Sequence, residues 1–304
     1  MEKADKIWLN GELIPWDEAR IHVLTHALHY GTAVFEGIKC YETVRGPAIF
    51  RLREHMRRML NGAKIYLMPI PYSLDELCNA CRETVRANNY TWCYIRPIAF
   101  RGYGEMGVNP ANNPVDVACI VWKWGAYLGD DGIQNGIRVM VSSWQRIDTR
   151  SLPPHAKAAG HYLNSVLAKQ EALGLGYDEA IMLNSHGMLC EGSGENLFIV
   201  KDGALITPPP SAGALPGITR DAAITIAQEM NIPVVIRDII REELFLADEA
   251  FFTGTAAEIT PIREVDGRFI GNNGRGELTE KIQSRFFDIV NGKDEKYHHW
   301  LDFI

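Results

Sequence analysis

The period of apolar positions changes several times along the chain, and the changes mark out its elements. "KIWLNGELIPW" holds two short apolar runs broken by Asn10-Gly11, a dipeptide suited to a two-residue hairpin. Strand-like runs follow in "GTAVFEGIKCYET" and "PAIFRL". The spacing then turns helical: Met56, Met59, Leu60, Ala63 and Tyr66 share a face and predict a helix near residues 53–67. A second helix begins at a capping box of Ser73 and Glu76, with Leu74, Leu77, Cys78 and Cys81 along one face. Two β-rich runs, "TWCYIRPIAFRG" and "VDVACIVWKWGAY", complete a sheet covered by helices that ends near residue 124.

"GAYLGDDGIQNG" is polar and glycine-rich, which predicts an interdomain linker at 125–136. A second region opens with "IRVMVSSWQRI". It continues through a helix near 161–173, a hairpin series over 179–207 and a helix near 218–230. Strand-like "PVVIRDI" and "EAFFTGTAAEI" and a last helix near 278–290 follow. The expected organisation is a small N-terminal domain, 1–124, and a larger C-terminal domain, 137–304. The sequence contains no internal repeat and no low-complexity tract.

Composition narrows the functional classes. A chain of 304 residues with 46% hydrophobic content can bury a sizeable core. A net charge of −7 argues against broad nucleic-acid binding, which needs clustered Lys and Arg. No apolar run approaches the roughly 18 residues of a membrane-spanning helix, and "MEKADKIWLNGEL" lacks the apolar core of a signal peptide. The expectation is a soluble, cytoplasmic protein that binds no nucleic acid and no membrane. Of the six cysteines only "CNAC" is closely spaced, and the second half of a zinc site is missing, so no metal is expected. Cys78 and Cys81 read as thiols packed on a helix, with a redox role the lesser alternative.

The candidate chemistry starts at "PPHAKAAGHYLNS". Lys157 sits among Ala156, Ala158, Ala159 and Gly160, with no acidic residue within three positions. Small neighbours desolvate an amine, so that it can lose its proton and attack an aldehyde. "CEGSGENLF" places Glu191 and Glu195 around two glycines, although a glutamate in such a turn is ordinarily just solvated. "LPGITRD" puts Pro216-Gly217 before a helix, whose first amides and the Thr219 hydroxyl suit an anion. "FFTGTAAEITP" follows a buried-looking strand with small residues that expose backbone amides, and Arg57 lies in the basic "REHMRRML". A phosphate could rest on the helix start and Arg57, and Glu191 could pair with a protonated pyridine nitrogen. These are the elements of a pyridoxal-phosphate site, though spacing alone does not assemble them.

Ordered motifs along nearly the whole chain carry a resemblance: "HALHYGTAVFEGIKCY", "REHMRRM", "YIRPIAF", "GVNP", "WGAYLG", "AKAAGHY", "EGSGENLF", "LPGITRD" and "TGTAAEITP". The chain resembles the branched-chain amino acid aminotransferases of pyridoxal-phosphate fold type IV. That implies an α+β fold with a small N-terminal α/β sandwich and a larger C-terminal pseudo-barrel. The implied reaction moves an amino group between leucine, isoleucine or valine and 2-oxoglutarate, by a ping-pong route through pyridoxal 5'-phosphate. Lys157 would carry the cofactor and shuttle the proton, Tyr162 would bond its phenolic oxygen, and Glu191 would hold its ring nitrogen. Arg57, Ile218, Thr219 and Thr255 would bind the phosphate, with Gly194, Leu215, Gly217 and Gly254 completing the cofactor set. Thr255, Ala256 and Ala257 would meet the substrate carboxylate. Phe35, Tyr30, Tyr94, Tyr127 and Trp124 would wall an apolar pocket, joined by Val108 from a neighbouring subunit. Arg96 would take a second carboxylate, with Tyr30 as a hydrogen-bond donor beside it. The partners implied are small amino and oxo acids and further copies of the chain, as a dimer at least or a hexamer built as a trimer of dimers.

One departure stands next to the lysine. The family commonly reads Ala-Gly-Gly-Asn-Tyr after it, whereas this chain reads "KAAGHYLNS", with Ala159 for a glycine and His161 for an asparagine. His161 is expected to be a packing or surface histidine. Rival readings within the fold are a D-amino acid or (R)-amine aminotransferase or an aminodeoxychorismate lyase, against which "YIRP", "GVNP" and "GTAAE" speak. A non-catalytic cofactor-binding relative is the rival from another class, and retention of Lys157, Tyr162, Glu191 and Arg57 speaks against it.

Overall fold

Asn10 and Gly11 both adopt left-handed backbone, at φ 48° and 99°, and so turn strand Lys6–Leu9 back onto Glu12–Pro15. This hairpin forms one edge of an eight-stranded sheet in a computed structural model that describes residues 2–125 and 127–304, apart from the Asp130 side chain. In order across the sheet come Leu301–Phe303, Gly46–Phe50, Ile38–Thr43, Cys93–Arg101, Val115–Trp122, Lys6–Leu9 and Glu12–Pro15, with Ala33–Phe35 also paired to Cys93–Arg101. All these pairings are antiparallel. Helices Leu52–Ile65 and Leu74–Ala87 cover the sheet through Met56, Met59, Leu77, Cys78 and Cys81, which pack with Ile38, Ile95 and Val121. The capping box forms as expected, with the Ser73 amide donating to Glu76 and the Glu76 amide to Ser73 Oγ. All six cysteines are unpaired and buried, and burial pushes the Cys78 thiol up to about 11, as suits packing rather than redox chemistry.

The second sheet is mixed and has nine strands. Its order is Leu189–Gly192, Glu179–Leu183, Ile137–Val141, Glu258–Val265, Glu249–Gly254, Asn196–Lys201, Ala204–Thr207 and Val234–Ile236, with Arg268–Phe269 beside Glu258–Val265. The first and sixth strands of that order are separated in sequence by residues 193–195 alone, and the Gly192 amide donates to the Glu195 carbonyl at 2.6 Å. The sheet must therefore curl until these strands meet, which makes the pseudo-barrel. Ile181, Leu197, Phe252, Ile262 and Leu189 fill its core. Helix Tyr162–Gly174 packs Ala168 and Ala172 against Met140, Ala180 and Met182.

The chain divides into two compact units, but not by a single cut. Residues 1–124 form the first unit together with 156–160 and 289–304; the second holds 125–155 and 161–288. Two segments expected within the domain 137–304 thus belong elsewhere. The C-terminal strand Leu301–Phe303 pairs with Gly46–Phe50, and Arg82 grips Asp302 with two bonds of 2.6 Å. The lysine segment joins the first unit through an Ala158–Val34 bridge and a bond from the Phe35 amide to the Lys157 carbonyl, 3.0 Å. The expected linker is also not bare coil: it contains the short helix Asp130–Asn135, whose Ile133 carbonyl accepts from Gln283 at 2.9 Å. No helix among the described residues is long and apolar enough to cross a membrane.

Candidate active site

In the first unit the small residues around Lys157 serve close packing. Ala156 and Ala158 are buried, and a Cβ on Gly62 would stand 3.5 Å from the Ala156 Cα. Gly31 needs its missing Cβ, which would come within 3.0 Å of the Gly160 Cα, and its φ of 66° suits glycine. The segment is thus pinned by backbone on both sides, and the Lys157 ammonium lies 5.3 Å from the Phe35 ring centroid.

Arg96 rests on the same ring, its guanidinium carbon 4.7 Å from the centroid. Tyr94 and Trp122 flank it at 5.4 and 5.8 Å, and Arg96 Nη2 donates to the Tyr94 hydroxyl at 3.2 Å. Trp124 stands edge-on to Tyr94 at 4.8 Å. Arg96 Nε is buried with no hydrogen-bond partner among the described residues. The strand Cys93–Arg101 therefore presents a cation within an aromatic wall, one ring away from the lysine.

The first unit also holds a buried ionic cluster with no signature in the local sequence pattern. Glu36 is fully buried; Arg58 Nε and Nη2 each donate to it at 2.7 Å, and His55 Nδ1 lies 2.8 Å away. Burial alone would raise the Glu36 carboxyl, but Arg58 and His55 outweigh it and hold it down at about 2. His55 is pushed down, mainly by burial, and the nearby Lys157 charge adds to the effect. Arg57, the cation expected at the phosphate, is exposed. Arg58 instead shares the inward face with His55 and Gly62, three residues before it and four after. That spacing was the available signal; two adjacent arginines hid it.

The second unit holds the carboxylate and the anion-binding candidates. Glu191 is 5% exposed on strand Leu189–Gly192. Arg146 Nε lies 2.8 Å from its Oε1, an ion pair not aligned as a hydrogen bond. The Leu215 amide and the Asn196 side chain donate to Oε2 at 3.0 and 3.3 Å. Arg146 and Asn196 thus orient this carboxylate. Asn196 also donates to the Leu215 carbonyl, and a Cβ on Gly217 would collide with its Oδ1 at 1.9 Å. A side chain there would have to displace Asn196, and the glycine opens helix Ile218–Glu229 with no side-chain cap on the first amides. Thr219 is buried in that first turn, beside half-buried Ile218.

Thr255, Ala256 and Ala257 form the turn between strands Glu249–Gly254 and Glu258–Val265, closed by the Gly254–Glu258 pairing. Thr253 Oγ1, just before it, is buried without a hydrogen-bond partner among the described residues. Gly194 is exposed at the tip of the turn after Glu191. Tyr162 is half-buried at the start of helix Tyr162–Gly174. His161 before it is buried, and burial with the Arg146 charge lowers it to about 4, so it packs as a neutral ring.

Two expected pocket residues of the first unit are exposed, and a third belongs to the second unit. Tyr30 is exposed, with its ring against His26 and His29 rather than beside Arg96. Val108 is 88% exposed. Tyr127 belongs to the second unit, where its ring lies 5.1 Å from the Lys169 ammonium.

In the first unit the lysine is anchored by backbone, and in the second a carboxylate is fixed by Arg146 and Asn196 and a helix start lies uncapped behind a glycine. Each group by itself suits one part of a phosphorylated pyridine aldehyde. Comparison with known proteins agrees. The amino-transferase class IV family profile matches residues 33–265. The branched-chain-amino-acid aminotransferase of Escherichia coli (strain K12) is 52% identical over 304 residues, 100% of this chain and 98% of that protein. A crystal structure of the E. coli branched-chain amino acid aminotransferase superposes with a TM-score of 0.97 at 52% identity, covering 99% of each chain. The branched-chain amino acid aminotransferase from Thermobaculum terrenum, in its PLP-bound holo-form, gives a TM-score of 0.93 at 36% identity, covering 99% of this chain and 98% of that one. With a profile that spans most of the sequence and a relative matched along its full length, the chain belongs to the class IV aminotransferases.

Proposed function

We propose that this chain moves an amino group between L-leucine, L-isoleucine or L-valine and 2-oxoglutarate, with pyridoxal 5'-phosphate as cofactor. The observation that carries the substrate reading is Arg96 set among Phe35, Tyr94 and Trp122. Such an enzyme must accept an apolar side chain in one half-reaction and a glutamate carboxylate in the other. An aromatic wall suits the first, and an arginine with a spare buried donor suits the second.

The cofactor supplies an electron sink for the charge left when the substrate Cα loses its proton. In this reading Lys157 anchors the cofactor and moves that proton from Cα. Tyr162 donates to the ring oxygen. Glu191, fixed by Arg146 and Asn196, holds a proton on the ring nitrogen. The Ile218 and Thr219 amides and the Thr255 turn hold the phosphate, and Arg58 replaces Arg57 as its cation. Ala256 and Ala257 meet the substrate carboxylate. Tyr30 and Val108, exposed with Ile21, Val23, Leu24 and Met106, complete the pocket of a second copy in a homo-oligomer. Six unpaired buried thiols support a reducing, cytoplasmic setting.

A substrate panel run as separate half-reactions tests this reading. L-leucine, L-valine and L-glutamate should each convert the bound cofactor, whereas D-alanine and 1-phenylethylamine should not. Turnover of D-alanine in preference to L-leucine would place the chain with a different substrate group of the same fold.

A further inference from the structure

Three carboxylates are buried together in the second unit, and among the described residues only two of them have cations. Glu179, fully buried, accepts from Lys169 Nζ at 2.7 Å and from the Ala180 amide at 2.7 Å. Glu191 has Arg146, Asn196 and the Leu215 amide. Glu195, 5% exposed, has the Gly194 amide at 3.0 Å and no ion pair. Its side chain is wedged between two turns: Oε2 would stand 2.7 Å from a Cβ on Gly192, and Cγ 3.7 Å from one on Gly254. Those turns carry Glu191 on one side and Thr255–Ala257 on the other.

The charges that act on it are Glu179, Lys169 and Glu191, with Arg146 and Glu258 held on neighbouring elements. Glu179 lies on its strand, Lys169 on helix Tyr162–Gly174, Glu191 before the turn, Arg146 in the preceding loop, and buried Glu258 across the hairpin from Gly254. Lys169 and Arg146 balance Glu179 and Glu191, so an ionised Glu195 would be a surplus buried charge, which is costly.

We propose that Glu195 is held as a neutral carboxylic acid and is a positioning residue for Glu191, locking the 192–195 turn against the 254–258 turn. The positioning role rests on the reading of Glu191 as the partner of the ring nitrogen; the protonation does not. Burial, then repulsion from Glu179, raises the Glu195 carboxyl from its ordinary 4.5 to about 8.

The sign follows from proton counting. Between those two values the folded chain keeps a proton that the unfolded chain has released, so stability is full below 4.5 and falls as pH rises through about 8. One such group shifts the unfolding equilibrium by up to roughly tenfold per pH unit in that window. The test compares the full-length wild type with Glu195→Gln, whose amide mimics the protonated acid. Denaturant unfolding, without cofactor, should show the wild type losing stability relative to the variant from pH 5 to 8; parallel profiles would overturn the proposal. Infrared spectra of the wild type alone should show a protonated-carboxyl carbonyl stretch at pH 7 that disappears above about pH 8. Its absence at pH 7 would overturn the proposal even if the variant fails to fold. In the cofactor-loaded proteins, the leucine half-reaction should slow above about pH 8 in the wild type and lack that limb in the variant; identical pH profiles would refute the positioning role. A chain that never converts leucine refutes the proposed function instead, and the infrared result still decides the protonation.

Discussion

Replacing Arg96 with Ala should separate the two half-reactions. The guanidinium touches three aromatic rings and donates to Tyr94, while its buried Nε has no hydrogen-bond partner among the described residues. A glutamate carboxylate entering there would gain a charge-assisted bond worth about 1.5–3 kcal/mol. Losing it corresponds to roughly ten- to a hundredfold in kcat/KM for glutamate and 2-oxoglutarate. Leucine and 2-oxoisocaproate make no such bond and should change by less than about threefold. The substitution also removes cation–π contacts of about 0.5–1 kcal/mol each, so a modest fall in Tm is expected. Single-turnover absorbance traces with leucine and with glutamate measure the two halves independently. Equal losses for both would show that Arg96 braces the sheet and reads no side chain. A lysine at this position should recover part of the glutamate rate, since it keeps the charge and loses the fork.

Arg58→Ala should weaken pyridoxal-phosphate binding in equilibrium dialysis, whereas exposed Arg57→Ala should leave it unchanged and shift stability by no more than about 0.5 kcal/mol. Glu36→Gln removes one partner of a buried ion cluster and should cost about 3–5 kcal/mol in denaturant unfolding at pH 7. Glu36 is held at about 2, so its stabilisation is present above its ordinary 4.5 and lost as pH falls toward 2; the variant should lose that acid limb. Gly217→Ala should displace Asn196, costing about 1–3 kcal/mol and weakening cofactor retention; unchanged retention would show that the helix start is not the phosphate site.

Local features were legible because their signals are local. Asn10-Gly11 makes its hairpin, and Ser73 with Glu76 makes its capping box, because each depends on residues a few positions apart. Lys157 stood out for its small neighbours, and the structure packs those neighbours against backbone. What failed depends on contacts between distant segments. Nothing near Glu191 in sequence announces Arg146, and nothing near Arg82 announces Asp302. The tail "KYHHWLDFI" has too short an apolar run to declare a strand, and its pairing is fixed by Gly46–Phe50. The charge pattern of "REHMRRML" points equally to Arg57 and Arg58, and only the helical register, which exposes Arg57 and sets Arg58 beside buried His55 and Gly62, separates them. Glu195 reads in sequence as a solvated turn residue; the curl of the second sheet buries it.

The most direct measurement is reductive trapping followed by peptide mapping. Borohydride treatment of the cofactor-loaded protein should leave a pyridoxyl group on Lys157. Incubation with L-leucine before reduction should abolish that label, because the amino donor displaces the lysine. Lys169 is ion-paired to buried Glu179, and Lys201 to Asp248, so neither amine should be modified. A label on Lys169 or Lys201, or a Lys157 label that persists after leucine, would contradict the account.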